Sequence, residues 1–385
     1  MEKEKVLPAT AVPEAPPSAA LPAGLVPLDL PAGAAGRITA LARVEERLHV
    51  AVDTAAGARL LCRDLAEGTW RETGTLAGES VTGFAVFAAE GSPARLCAAT
   101  RGPGGARLLA EGAEGAMTPL WAGSKDGTGG LLAPVVWQGW LVTAGLPAGG
   151  AADDGLAGRV LARRAPGAEG WTALSAPDLG DAENTGISAL AVHGGRLYAA
   201  TVNHKIGFQL WSLGAPGEDW VQHLREGATR FAMNPAVGCM VSRGDALWIG
   251  TAMPVAPDVP GIEWPPAEVI VLYDDGEWEL VAGEPRFTPQ GLRTPLSLYG
   301  PGFDDPAATV VGAMAVQGGE IVLGTGPAAW LWSSADEETW TETDLGAEEE
   351  GVAALGGVTA MAAGGDGLWI AAGGRLYRRD STVHG

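Results

Sequence analysis

The chain has 385 residues, 46% hydrophobic and 18% charged, which is enough for a well-buried core, and a formal net charge of −21. That charge argues against nucleic acid as a partner, because phosphate-backbone binding draws on clustered Lys and Arg, and lysine is confined to Lys3, Lys5, Lys125 and Lys205. No run of about 18 apolar residues occurs, so neither a transmembrane helix nor a membrane partner is expected. Residues 1–23 are rich in Pro, Ala and Glu, too poor in core formers to fold, and are expected to be a disordered leader. They lack the apolar stretch of a secretory signal, so a cytoplasmic protein is expected. Residues 25–30, LVPLDL, form a single strand-like run.

From there one unit recurs, most clearly over residues 187–224. An apolar run, 187–192, is followed by the turn Gly194-Gly195 and by a second run, 197–201. A polar loop leads to a third strand near 209–212, and a fourth begins at Trp220. Four strands joined up and down, at a period of roughly 40 to 50 residues, are the signature of a propeller blade. The unit fits seven times, with first strands at 38–44, 81–87, 132–136, 187–192, 237–241, 310–316 and 358–363. The second strands agree closely: LHVAVD, LCAAT, LVTAG, LYAAT, LWIGT, IVLGT and LWIAA. Fourth strands open near Trp70, Met117, Trp171, Trp220, Trp278 and Trp340, and tryptophans recurring in register are expected to pack between blades.

The last unit supplies only three strands, which would leave a bare sheet edge. The run 25–30 is the natural fourth. The expected fold is therefore an all-β, seven-bladed propeller of four-stranded antiparallel blades, a single domain over residues 24–385 closed by its N-terminal strand.

In such a fold the loops between second and third strands share one face with the blade-to-blade connections. Here those are the long segments, among them 202–208, 252–268, 225–236 and 283–309, and long loops on a rigid scaffold are where binding residues concentrate. On that face His204 and Lys205 are the candidate catalytic acid-base pair. Asn203, Arg101, Arg230, Asn234, Arg286, Arg293, Tyr299 and Asp304 are the candidate ligand-binding residues, the arginines suiting a carboxylate or phosphate. As exposed loop residues, Lys205 and Arg286 are expected to matter little for stability.

Cys62, Cys97 and Cys239 stand alone within strands and are expected to be buried small hydrophobes. The five histidines show no ligand spacing, and Asp153-Asp154 and Asp304-Asp305 lack the dense pattern of a calcium loop. No nucleophile elbow, phosphate loop or dinucleotide fingerprint occurs, so no metal and no cofactor are expected.

The L-Y-A-A-T second strand, the F-Q-L-W third strand at Phe208–Trp211 and the Trp-led fourth strand resemble the repeats of bacterial seven-bladed propellers of sialidase-like or kelch-like type. Ser334-Ala335-Asp336 with Thr339-Trp340 resembles an Asp-box, one residue short and with Glu in place of Gly. No Phe-Arg-Ile-Pro occurs, and the Trp-Asp and Gly-His dipeptides of another propeller class are absent. The resemblance implies the fold and no particular activity. Two functions stay open: a monomeric propeller binding a small molecule, protein or glycan on the long-loop face, or an enzyme acting there on a small anionic or polar substrate by acid-base, lyase or hydrolase chemistry.

Overall fold

In the computed structural model of the protein the described residues are 24–88, 93–112, 115–123, 128–147, 155–164, 170–253, 264–327, 329–345, 356–365 and 367–380. The leader and the Asp153-Asp154 pair lie outside them. The described chain is nearly all β, built from antiparallel up-and-down meanders. The first comprises Arg37–Val44, Arg47–Thr54, Gly57–Asp64 and Trp70–Ala77, paired in that order. The next comprises Ser80–Phe87, Arg95–Arg101, Arg107–Glu111 and Met117–Ala122. Further meanders follow over 135–173, 186–224, 236–282 and 310–344. In the last, Val358–Gly364, Gly367–Ala372 and Arg375–Asp380 are completed by Leu25–Leu28, in the register Leu25↔Arg379 to Leu28↔Leu376.

The second strands are continuous apolar runs because each is covered on both faces. Leu96 to Thr100, Leu197 to Thr201 and Leu247 to Thr251 are all buried. Apolar clusters are each shared by two successive sheets. One joins Tyr198 and Leu210 to Leu247 and Trp278, and another joins Trp248 and Val269 to Leu323 and Trp340. A third joins Ile38 and Val50 of the first sheet to Trp369 and Leu376 of the last.

A β-bulge sits at the start of the innermost strands, where the register skips one residue: Thr39, Thr82, Ser188, Gly238, Gly312 and Thr359. These residues face the next sheet. Thr82 Oγ1 donates to Leu131 O at 2.7 Å, Thr359 Oγ1 donates to Ile38 O at 2.6 Å, and Ser188 Oγ accepts from Val237 N at 3.2 Å. At the glycines the backbones approach so closely that a Cβ would lie 2.4 Å from Val311 O at Gly238 and 2.0 Å from Val358 O at Gly312. A hydroxyl or a bare Cα is what this position accepts.

At the short-turn end, the last residue of the innermost strand ties each of several sheets to its neighbour. Trp137 Nε1 donates to Gly195 O at 2.8 Å, Arg243 Nε to Gly319 O at 2.9 Å and Gln317 Nε2 to Arg379 O at 3.2 Å. The Asp-box-like turn is closed on itself, with Asp336 Oδ1 accepting from Glu338 N and Thr339 N, which holds the Asp336 carboxyl below the usual range. Among the described residues no helix is long and apolar enough to cross a membrane.

Candidate functional site

Among the described residues, the opposite end of the sheets carries the second-to-third-strand loops and the sheet-to-sheet connections. Three of the connections contain the same left-handed turn, at 177–180, 226–229 and 301–304, with non-glycine residues such as Leu179, Ala228 and Phe303 at φ between 53° and 57°. Such a turn is costly alone, by roughly 1–2 kcal/mol per residue. Each is held by one bond to the loop that precedes its own sheet's third strand: Asp178 N to Gly158 O, Gly227 N to Phe208 O and Gly302 N to Ala267 O. The loops at this end are therefore shaped by the scaffold.

The turn at 226–229 places Arg230 and Asn234 beside Arg286, and all three converge on a residue absent from the candidates above, Glu268. Its carboxylate has no solvent exposure. Glu268 Oε1 accepts from Arg286 Nη1 at 2.8 Å and from Glu284 N at 2.8 Å. Glu268 Oε2 accepts from Arg286 Nη2 at 3.0 Å and from Asn234 Nδ2 at 2.7 Å. Arg230 lies alongside, Nε at 3.4 Å from Oε1, with Nη1 donating to Pro266 O at 2.8 Å and Asn234 Oδ1 at 3.2 Å. Burial pulls the Arg230 guanidinium below its usual range, and the charges of Glu268 and Glu284 act against that pull. Arg286 is thus not an exposed loop residue. Its side chain is 10% exposed, and the carboxylate its fork was expected to grip in a ligand belongs to the chain itself.

Arg293 is paired across the short hairpin with Arg286, and both guanidiniums lie over the Trp278 ring. Arg293 is bonded to Glu279 and, at 3.1 Å, to Glu277. Asn203 is fully buried. Its Oδ1 accepts from Lys205 N and Ile206 N, forming the loop's own turn, and its Nδ2 donates to Asn184 Oδ1 at 3.0 Å. His204 and Lys205 are consequently turned outward and exposed, with Lys205 paired to Glu183 at the surface. Tyr299 packs in an aromatic group with Phe303 and Trp332, and Asp304 Oδ1 accepts from Gly300 N at 2.8 Å.

Of the candidate arginines, Arg101 stays uncommitted among the described residues. It is exposed, and among the described residues no carboxylate pairs with its guanidinium. It lines a cleft of ≈ 630 Å³ between the first two sheets, together with Asp53, Glu79 and Ser80. Ser80 and Arg101 are cross-strand partners, and Ser80 Oγ donates to Asp53 Oδ2 at 2.5 Å. Burial raises the Asp53 carboxyl above its usual range, opposed by the Ser80 hydrogen bond and the charges of Arg101 and Arg37.

At the other end, His193 has Nδ1 at 2.8 Å from Ser242 Oγ and Nε2 at 2.9 Å from Asp274 Oδ1. This has the composition of a catalytic triad. Its position is nonetheless that of Trp137, Arg243 and Gln317, so it serves as another tie between neighbouring sheets. Cys62 and Cys97 are buried, Cys239 is partly so, and all three are free. Burial lifts the Cys97 thiol to about 11. Among the described residues no group of three His, Cys, Asp or Glu side chains is arranged to hold a metal ion.

The fold is that of a β-propeller. The structure is similar to virginiamycin B lyase from Staphylococcus aureus, with a TM-score of 0.61 and 11% identity over 92% of this chain and 98% of that one. It is similar to YCF48 from Cyanidioschyzon merolae, with a TM-score of 0.57 and 12% identity over 93% and 99% of the two chains. It is also similar to the Swd1 β-propeller domain of Myceliophteria thermophila, with a TM-score of 0.53 and 11% identity over 89% and 96%. At these identities the likeness concerns the fold alone. No protein-family model matches the sequence, and no curated protein matches it.

Proposed function

We propose that residues 24–385 form one seven-bladed ring, closed by pairing of the 25–28 strand with the 375–380 strand, and that this ring is a binding module whose long-loop end docks a protein partner. The ring is supported by the cluster that joins the first sheet to the last and by the Thr359–Ile38 hydrogen bond.

The binding reading rests on one observation. Large apolar side chains are exposed together on the long-loop segments: Phe287 at 83%, Leu298 at 88%, and Leu292, Phe231 and Met233 at about half. Phe287 and Leu292 are cross-strand partners at the hairpin, and Arg286 Nε bonds Ala228 O, which brings the hairpin against the 226–233 segment. Such a patch marks an interaction surface. The exposed carboxylate of Glu284 precedes the hairpin, and the exposed Glu277 is bonded to Arg293 of the same hairpin, so the partner that fits is a basic, amphipathic peptide segment.

Displayed random peptides selected on the intact protein test this. Enriched peptides should combine Lys or Arg with large apolar residues, and should lose at least about tenfold in affinity to Phe287→Asp and Leu298→Asp, which are too exposed to unfold the chain. Enrichment without basic residues, or equal binding to both variants, would refute the assignment.

A further inference from the structure

The cleft between the first two sheets holds chemistry separate from the partner surface. Its volume of ≈ 630 Å³ is that of a small-molecule site. Two acids line it, but they differ. Glu79 is already committed, accepting from Arg107 Nε at 2.8 Å, with Arg107 Nη2 at 2.5 Å from its other oxygen. Asp53 has one oxygen bonded to Ser80, while its Oδ1 is shielded and without a hydrogen-bond partner. Ser80 Oγ, spending its proton on Asp53, retains lone pairs that can accept from a ligand. Arg101, exposed and the cross-strand partner of Ser80, lines the same cleft. The remaining wall includes Pro103, with its apolar ring, and Gly102, whose N–H is bonded to Gly129 O at 3.1 Å.

The ligand that satisfies such a site needs one anionic group for one arginine, and several hydrogen-bond donors for the acceptors. A phosphate dianion is disfavoured by two carboxyl groups in the wall. An ammonium group needs a net negative partner, yet the charge of Asp53 is offset by Arg101 and Arg37 on either side. Hydroxyls carry no such requirement. We propose that this cleft binds a polyhydroxylated monocarboxylate, an acidic sugar of one or two rings, with Arg101 paired to the carboxylate and Ser80 Oγ, held by Asp53, accepting from its hydroxyls.

Isothermal titration calorimetry of the full chain with D-glucuronate, D-glucose, L-serine and inorganic phosphate tests the proposal. Glucuronate should bind at least about tenfold more tightly than glucose. Arg101→Ala should bring glucuronate down to the glucose level, Arg101→Lys should restore part of the difference, and Ser80→Ala should weaken both sugars. Because Arg101 is exposed, its variants should melt with the wild type, so a lost signal reports the site and not the fold. Equal affinity for glucuronate and glucose, no effect of Arg101→Ala, preference for serine or phosphate, or no binding of glucuronate would each overturn it.

Discussion

Replacing Glu268 by Gln is the most direct test of how the long-loop end is held together. The carboxylate accepts four hydrogen bonds, two at each oxygen, and every partner is a donor: Arg286 twice, Asn234 and the Glu284 amide. Glutamine keeps one acceptor oxygen. Whichever way the amide is turned, two bonds are lost, and an NH₂ group is set against two donors. It also removes the buried counter-charge of Arg286 and leaves Arg230 only Glu284, 3.8 Å away. Hydrogen bonds to charged groups contribute about 1.5–3 kcal/mol each, and breaking one partner out of a buried ion pair costs about 3–5 kcal/mol, so a loss of about 4 kcal/mol is expected. Arg286→Ala should cost nearly as much, because it strips two of the four bonds. Urea unfolding monitored by tryptophan fluorescence measures both, with an unchanged dependence on urea concentration showing that the midpoint shift is a stability change. The reasoning fails if Glu268→Gln lies within about 0.5 kcal/mol of wild type, the usual range for minor surface changes.

Two further outcomes follow from the fold. His49 is buried, and burial together with the charges of Arg47 and Arg71 lowers its pKa from 6.5 to about 4. The unfolded chain therefore takes up a proton in that window before the folded chain does, so stability is full above pH 6.5 and falls by about 3 kcal/mol as the pH drops to 4. Urea titrations at pH 6.5 and 4.5 should show this slope flattened in His49→Gln, and an unchanged slope would contradict it. Deleting residues 1–31 removes Leu25 from the last sheet's cluster and bares the Arg375–Asp380 edge, so stability should fall at least about 3 kcal/mol below that of a chain lacking residues 1–20, with melting at a lower temperature. Coincident melting curves would show that the 25–28 strand contributes nothing.

The strand plan was legible because double burial writes itself into composition: a second strand covered on both faces has no polar side, and runs such as LYAAT and LWIGT announce it. The bulge was not read, although Ile or Val followed by Thr, Ser or Gly recurs at 39, 82, 188, 238, 312 and 359; only the geometry shows why those small residues are there. The site was harder to see. Charge is visible in a sequence, but its partner is not, and Arg230, Glu268 and Arg286 meet from three separate loops. Arg230 and Arg286 were committed to an internal carboxylate, while Arg101, selected on the same grounds, has no carboxylate partner among the described residues. Asn203 likewise showed its polarity but not its direction, since its side chain turns inward to fold the loop that displays His204 and Lys205.

The pairing of Leu25–Leu28 with Arg375–Asp380 has a mechanical consequence. The two strands are antiparallel, and Asp380 N donates to Gly24 O at 2.9 Å, so both ends of the described fold leave from one corner. Tension applied between those ends meets the pair Leu25↔Arg379 first, then Val26↔Arg378, Pro27↔Tyr377 and Leu28↔Leu376, breaking them singly as a zipper opens and not together as a sheared sheet does. The strand that completes the last sheet is then also the first to let go under load, a fuse that yields while the remaining sheets keep their packing.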